Sequence, residues 1–499
     1  MSTSPGSKIP LFKVRVQEKG TIRDIKEVIV RVEGLPTCLY GQIVDLGDGV
    51  NGIIMGYDTE DVLILAMGDS SRLRLGKEVL GVSEPFRIPV GDAYVGRMVT
   101  AMGEPCDHGK ELVPTLRLPV FRDSPPITHR APLEGFLETG TKIVDMLIPI
   151  AKGQRELILG DRVTGKTVVA LDAILNQQGR DVTCIYCAIG KSVSNLEKTV
   201  ATLQDKGALD FSVVVVATDN SPVGEQYIVP FTAATLAEFF AAKGRDVLVV
   251  FDDLTKHAWA YRQLSLLLGR PPGREAYPGD VFYVQTQLME RAGRFNEDHG
   301  GGSITFLGIA ETLQGDLTGY IPSNLASMCD GQIFMSSSVY AEGFRPAIDV
   351  SLSLSIVGGR AQPMILKKLG RDLRSDYARY KEVLSLSRLS AAVSDEADRT
   401  VRKGQSIEAI LQQGQHQPVS LAEQVLLMYA LSHNLLASLS DEQRRAFCRE
   451  IYGFARGRSR ELLEEIERVR EPTDRIMEGL AAIVAAYFSA GGGGQEADN

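Results

Sequence analysis

No run of about 18 apolar residues occurs in this 499-residue chain, so no helix of it is expected to span a membrane. Cysteine is sparse. The six thiols (Cys38, Cys106, Cys184, Cys187, Cys329 and Cys448) are scattered, which excludes a disulfide framework and reads as reduced, buried thiols of a cytosolic protein. Cys184-Ile185-Tyr186-Cys187 has C-x-x-C spacing, but the run has strand character. Side chains three residues apart on a strand point to opposite faces, so the pair reads as packing rather than as a metal or redox site. Excess positive charge is also missing. The net charge is −9, which argues against a broad basic surface for nucleic acid. Residues 1–10 carry neither an apolar signal core nor an Arg-rich amphipathic pattern, so no secretion or organelle import is expected. Internal repeats are absent.

What the chain does have is core-forming material. Its 44% hydrophobic content is ample for about two to four domains. From about Lys19 to Val90 the pattern is all-β. Val28–Val32, Gln42–Leu46 and Val62–Leu65 are short β-rich runs punctuated by Gly47, Gly49, Gly52, Gly56 and Gly68, which predicts a small barrel. Pro114, Pro119, Pro125, Pro126 and Pro132 then mark an extended crossing segment. From about Gly135 to Lys367, strands and helices alternate, as in an α/β core with a mostly parallel sheet. Past Leu369 the pattern is helical. Ser420–Glu423 and Ser440–Gln443 read as capping boxes, and Leu421, Val425, Met428, Leu435, Leu436 and Leu439 follow at helical spacing. We therefore expect a multidomain α/β chain: a β-barrel over 1–92, a phosphate-loop α/β domain over 93–372, a helical bundle over 373–490, and a Gly-rich disordered tail over 491–499.

The most informative run is Gly160-Asp161-Arg162-Val163-Thr164-Gly165-Lys166-Thr167, which fits G-x-x-x-x-G-K-[ST]. Glycines let backbone N–H groups close around a β-phosphate, Lys166 reaches the β/γ oxygens, and the Thr167 hydroxyl is placed for Mg²⁺. Glu156–Leu159 reads as a buried strand entering the loop and Val168–Leu175 as the helix leaving it, whose N-terminus adds partial positive charge. This predicts binding of a nucleoside triphosphate. Downstream, Asp246–Asp253 is an apolar strand ending in two carboxylates, as a Walker-B strand does. Asp252 is the expected metal residue, acting through water, and Asp253 the start of the following turn. The interval from Thr167 to Asp252 leaves room for two further strand–helix units.

Barrel, phosphate-loop core and helical C-terminus, in that order, resemble the alpha subunits of F-type rotary ATP synthases. Several stretches carry the likeness: Arg262–Tyr283 (RQLSLLLGRPPGREAYPGDVFY), Gly160–Thr167, Gly300–Ser303, Tyr320–Asn324, Asp330–Phe334, Arg345–Ile348, Gln412–Gln415 and Glu423–Val425. The likeness runs from about residue 20 to 485. It implies a RecA-like nucleotide domain and an alternating hexamer with beta subunits around a gamma-type central stalk. It further implies a peripheral stalk and a membrane ion-rotor sector as partners, no nucleic acid, ATP or ADP with Mg²⁺ as ligands, and a peripheral place on the cytoplasmic face of a bacterial inner membrane. In that family beta chains turn ATP over, and alpha chains hold a nucleotide without doing so.

The resemblance also assigns residues. It extends the nucleotide site from the phosphate loop to Tyr340 beside the base, to Arg345 close behind it, and to Gln413 and Gln415 from the C-terminal domain. Each also has a plainer reading: a core aromatic for Tyr340, a polar turn for the glutamines. Beta chains place a catalytic Glu after the strand that follows the phosphate-loop helix; here the place reads Ala188-Ile189-Gly190-Lys191. A charged ammonium cannot accept a proton from the attacking water. Alpha chains have Gln there, so Lys191 departs from the family while keeping the defect; a solvated loop lysine and a γ-phosphate contact are equal expectations for it. Val163 stands where alpha chains have Gln. Ile356 occupies the family's arginine-finger position, a residue worth on the order of 10³–10⁵ in rate. Arg360 is the available substitute, so catalysis by the assembly is expected to be impaired or its finger relocated. The N-terminal extension, Met1 to about Glu18, is short for docking a peripheral stalk. These departures tilt the expectation toward a divergent copy. Two other functions fit the architecture: a catalytic hexameric motor, which needs a Glu near position 191, and an RNA-translocating ring helicase, which needs an aromatic and basic tract on the barrel. The barrel's Tyr40, Tyr57, Phe86 and Tyr94 form no such tract.

Overall fold

A computed structural model describes residues 18–58, 60–387 and 395–491. Most of the short N-terminal extension and of the Gly-rich tail lies outside the described residues. Six antiparallel strands, from Glu18–Lys26 to Glu78–Pro85, close into a barrel. The three sequence-predicted runs fall in its second, third and fifth strands: Ile29–Gly34, Gln42–Asp45 and Asp61–Met67. Along the barrel strands Val30, Val32, Val44, Ile54 and Ile64 fill the interior. Phe86 and Tyr94 lie buried just past the barrel, in the core shared with the α/β domain. These two are therefore packing residues, whereas Tyr40 and Tyr57 are exposed.

The central sheet runs in the order Ile348–Ser355, Gly331–Met335, Arg155–Gly160, Ser303–Glu311, Asp246–Asp252, Val182–Lys191, Ser212–Thr218, Met98–Thr100. All neighbours on this path are parallel except the first pair. Strands buried on both faces read as continuous apolar runs, such as Val213–Ala217 and Val247–Phe251. Two strand–helix units do separate the phosphate loop from the Walker-B strand: Val182–Lys191 with Val193–Asp205, and Ser212–Thr218 with Val223–Ala241. Cys184 and Cys187 sit fully buried on opposite faces of one strand, each in a different core cluster. Among the described residues no group of His, Cys, Asp or Glu could hold a metal by itself, and no helix is long and apolar enough to cross a membrane.

The C-terminal part is helical, from Leu373–Ser387 to Asp474–Ser489. Ser440 and Gln443 form a complete capping box at the helix Asp441–Arg458, and the Ser420 hydroxyl accepts from the Glu423 backbone at the start of Leu421–Ser432. This bundle is fastened to the nucleotide domain by buried polar contacts. Gln424 donates to Asp145 (2.8 Å), and Arg470 pairs with Glu138 (2.6 Å).

Candidate nucleotide site

The phosphate loop joins the central Arg155–Gly160 strand to the helix Lys166–Leu175. Gly160 cannot be replaced without cost. Its φ is +156°, and a Cβ there would lie 2.4 Å from the Met335 carbonyl oxygen. Gly165, at φ +100°, lets the chain enter the helix in a left-handed turn. Val163 at the loop apex also has positive φ (+65°) and is 83% exposed. A β-branched residue in that region is strained by about 1 kcal/mol.

The loop's own side chains do different jobs. Lys166 is almost buried, and its ammonium donates to the carbonyls of Gly160 (2.8 Å) and Asp161 (2.6 Å). The Thr164 hydroxyl donates to the Asp161 carbonyl (2.8 Å). Asp161 is the anchor: it accepts from Thr312 Oγ1 (2.7 Å), Gly315 N (2.8 Å) and Ser337 Oγ (2.7 Å). Those partners follow the two strands that flank the loop strand, so the carboxylate pins the loop to both neighbours. Arg162 pairs with Glu311 (3.1 Å).

At the start of the helix, Thr167 Oγ1 donates to Asp252 Oδ2 (2.8 Å), so the phosphate-loop helix and the Walker-B strand face each other. Asp252 is fully buried. Its Oδ2 also accepts from Tyr186 (2.8 Å), and its Oδ1 lies 2.6 Å from the Lys191 ammonium. Lys191 is thus not a solvated loop lysine; it is ion-paired with the Walker-B carboxylate at the edge of the space beside the loop. Burial alone would lower its pKa, but the charge and hydrogen bond of Asp252 raise it above the ordinary lysine value. Asp253 caps the helix Leu254–Leu267 by accepting from Lys256 N (2.8 Å). Burial, and then the neighbouring Asp252 charge, push Asp253 up to about 7. Lys166, by contrast, is lowered by burial.

A cavity of about 580 Å³, a size typical of small-molecule sites, opens beside the loop. Lys166, Thr167, Lys191, Asp252, Lys256 and Glu311 are among its lining residues. A slot on the other side of the loop is lined by Tyr340, Arg345, Pro346, Gln413 and Gln415. The Arg345 guanidinium stacks 3.5 Å over the Tyr340 ring and donates to the Tyr340 carbonyl (2.6 Å). Tyr340 and Gln415 line both cavities and join them. The amide of Gln413 is fully engaged with backbone: Oε1 accepts from Lys142 N (2.8 Å), while Nε2 donates to Gly140 O (2.7 Å) and Gln417 O (2.8 Å). It lines the slot as a clamp between domains. Nearby, Asp172 on the phosphate-loop helix accepts from His416 N (3.0 Å), and burial pushes this carboxyl up to about 6.

The structure brings Arg162–Thr167, Asp252, Tyr340, Arg345, Gln413 and Gln415 around one pair of cavities; sequence reasoning missed Tyr186. The signal was available: a tyrosine inside a buried apolar strand needs a partner for its hydroxyl. Ile356 and Arg360 lie away from this site, just past the sheet's edge strand, and both are exposed. Side chains alternating along that edge, Leu352, Leu354 and Ile356, are apolar and exposed as well.

Comparison with known proteins follows the same three-part layout. Residues 140–355 match the nucleotide-binding domain of the ATP synthase alpha/beta family, 362–487 its C-terminal domain and 15–82 its beta-barrel domain. The chain is 41% identical to ATP synthase subunit alpha 1 of Marinomonas sp. (strain MWYL1), covering 94% of this chain and 91% of that one. It is 44% identical to ATP synthase subunit alpha 1 of Shewanella frigidimarina, over 85% and 82%, and 40% identical to ATP synthase subunit alpha of Limosilactobacillus reuteri (strain DSM 20016), over 94% and 91%. With barrel, phosphate-loop domain and helical bundle all matched, the chain belongs to the ATP synthase alpha/beta family.

Proposed function

We propose that this chain is the non-catalytic, nucleotide-holding alpha subunit of a rotary ATP synthase. One observation carries the reading. Beside the Walker-B carboxylate, where water activation calls for a carboxylate base, stands the Lys191 ammonium, 2.6 Å from Asp252. A cation already bonded to a carboxylate has no means of taking a proton from water. Such a site holds a nucleotide and leaves turnover to the neighbouring chain.

The ligands in this reading are ATP or ADP, with the phosphates at the 160–167 loop and the base between Tyr340, Arg345 and Gln415. The hydroxyl of Thr167 and the carboxylate of Asp252 are the hard oxygen donors that Mg²⁺ takes, so the residues fit the ion. Bound there, the ion would screen phosphate charge. Partners in this reading are beta subunits in an alternating hexamer, a gamma-type central stalk, a peripheral stalk and a membrane ion-rotor sector. The chain would then sit peripherally on the cytoplasmic face of a bacterial inner membrane.

The test uses the purified full chain. It should bind ADP and ATP with no sustained phosphate release, and Lys166→Ala should weaken binding by roughly a hundredfold through loss of a charge-assisted phosphate contact. Steady turnover by the lone chain that disappears in Lys166→Ala would overturn the assignment.

A further inference from the structure

The pairing of Lys191 with Asp252 alters what the site asks of a metal. Lys191 ends the Val182–Lys191 strand, in which Ala188 is level with Asp252 on the adjacent strand. Past Ala188 the register against Ser212–Thr218 shifts between Ile189 and Lys191, and Gly190 adopts φ +60°. A side chain at Gly190 would be strained at that φ and tight, its Cβ 3.0 Å from Gln226 Oε1. This local bend accompanies a lysine whose ammonium rests on Asp252 Oδ1 while its side chain stays 22% exposed to the cavity.

In a phosphate-loop site the Walker-B carboxylate stands close to the nucleotide's own negative charge. A divalent ion reconciles the two. Here the carboxylate already has a full positive charge on one oxygen and two hydroxyl donors on the other. Its pull on a divalent ion is therefore weakened, and so is its repulsion of phosphate. Lys166 lines the same cavity, as does Lys256, whose ammonium lies 4.6 Å over the Trp259 ring. Asp219, Asp253 and Glu311 face the cavity too, but Asp219 is solvent-exposed, Asp253 is tied up as a helix cap and Glu311 is paired with Arg162.

We propose that Lys191 is a built-in counter-cation that takes over much of magnesium's part in holding the nucleotide, so that this site binds ATP and ADP with little dependence on divalent ions. Lys191 is thereby the residue that sets the metal requirement. The inference rests on the nucleotide-binding reading above and adds the charge form of the ligand: the metal-free nucleotide is accepted alongside the magnesium complex.

The experiment measures equilibrium binding of ADP and ATP to the full chain, once with millimolar Mg²⁺ and once with excess EDTA. The unaltered chain should change its Kd by less than about threefold between the two conditions. Lys191→Gln, which leaves Asp252 unneutralised, should become at least about threefold more dependent on Mg²⁺ than the unaltered chain. Lys191→Arg, which keeps the charge, should follow the unaltered chain. A change of threefold or more in the unaltered chain, or equal dependence in Lys191→Gln, overturns the proposal. If Lys191→Gln does not fold, the ratio for the unaltered chain decides alone. Absence of binding under both conditions is a different failure, because it removes the nucleotide reading on which the inference stands.

Discussion

Asp161 offers the sharpest test of how the phosphate loop is held. Its position in the motif tolerates any residue, yet its carboxylate accepts three hydrogen bonds from outside the loop: Thr312 Oγ1 and Gly315 N on Oδ1, and Ser337 Oγ on Oδ2. Hydrogen bonds to a charged group contribute about 1.5–3 kcal/mol each, so three sum to roughly 5–9 kcal/mol at most. Asp161 is only half-buried, and water can replace part of that in a variant. About 3 kcal/mol is a fair net figure for loop order, and if nucleotide binding must restore that order, affinity falls by roughly a hundredfold. Asp161→Ala should show that loss. Asp161→Asn should not, since its amide oxygen can still accept from Thr312 and Gly315 while its NH₂ can donate to the Ser337 hydroxyl; a change below about threefold is expected. Titration with a fluorescent adenine nucleotide reads both. Equal losses in the two variants would refute the anchoring argument and show that the negative charge, rather than the hydrogen-bond pattern, is what matters.

The remaining predictions address other parts of the molecule. His257 is fully buried against Tyr227 and Phe231, with Nε2 3.1 Å from the Tyr227 carbonyl, and burial lowers it to about 4. The unfolded chain, titrating near 6.5, therefore binds more protons between pH 4 and 6.5, and stability falls as pH drops through that window. His257→Gln should remove about 2.5 kcal/mol of the loss between pH 8 and 4.5; an unchanged pH profile by thermal denaturation would refute it. Gln413→Ala should cost about 2 kcal/mol of stability by chemical denaturation, while Gln415→Ala should leave stability alone and weaken adenine-nucleotide binding. The opposite pattern would reverse their roles. In a ring reconstituted with beta chains, Ile356→Arg should raise steady-state ATP hydrolysis at least about tenfold if a finger is missing there. No change would move attention to Arg360, for which Arg360→Ala is the matching test.

Local features of the site were legible in the sequence. The phosphate loop, its strand and its helix are contiguous, and their chemistry is written in spacing. The Walker-B strand was readable because a parallel strand buried on both faces has no polar alternation to obscure it. What escaped depends on which strands become neighbours. Lys191 and Asp252 meet only because their strands are adjacent in the sheet, and a bend at Gly190 then decides where the lysine points. The partners of Asp161 come from beyond two other strands. The amide of Gln413 could be placed near the nucleotide by likeness, but its commitment to three backbone groups is a property of the packed domains. Hydrophobic period reveals which faces turn inward; it does not say which polar tips will find each other once they have.

The closed N-terminal barrel has a further consequence for assembly. Among the described residues, a cylinder whose six strands are each paired with two neighbours leaves no free sheet edge for a neighbour's strand. Copies arranged as a collar would touch there through side chains alone, with no strand exchanged between them. Contacts of that kind can be made and unmade without unravelling either cylinder, and they present no open edge on which a fibre could grow by strand addition.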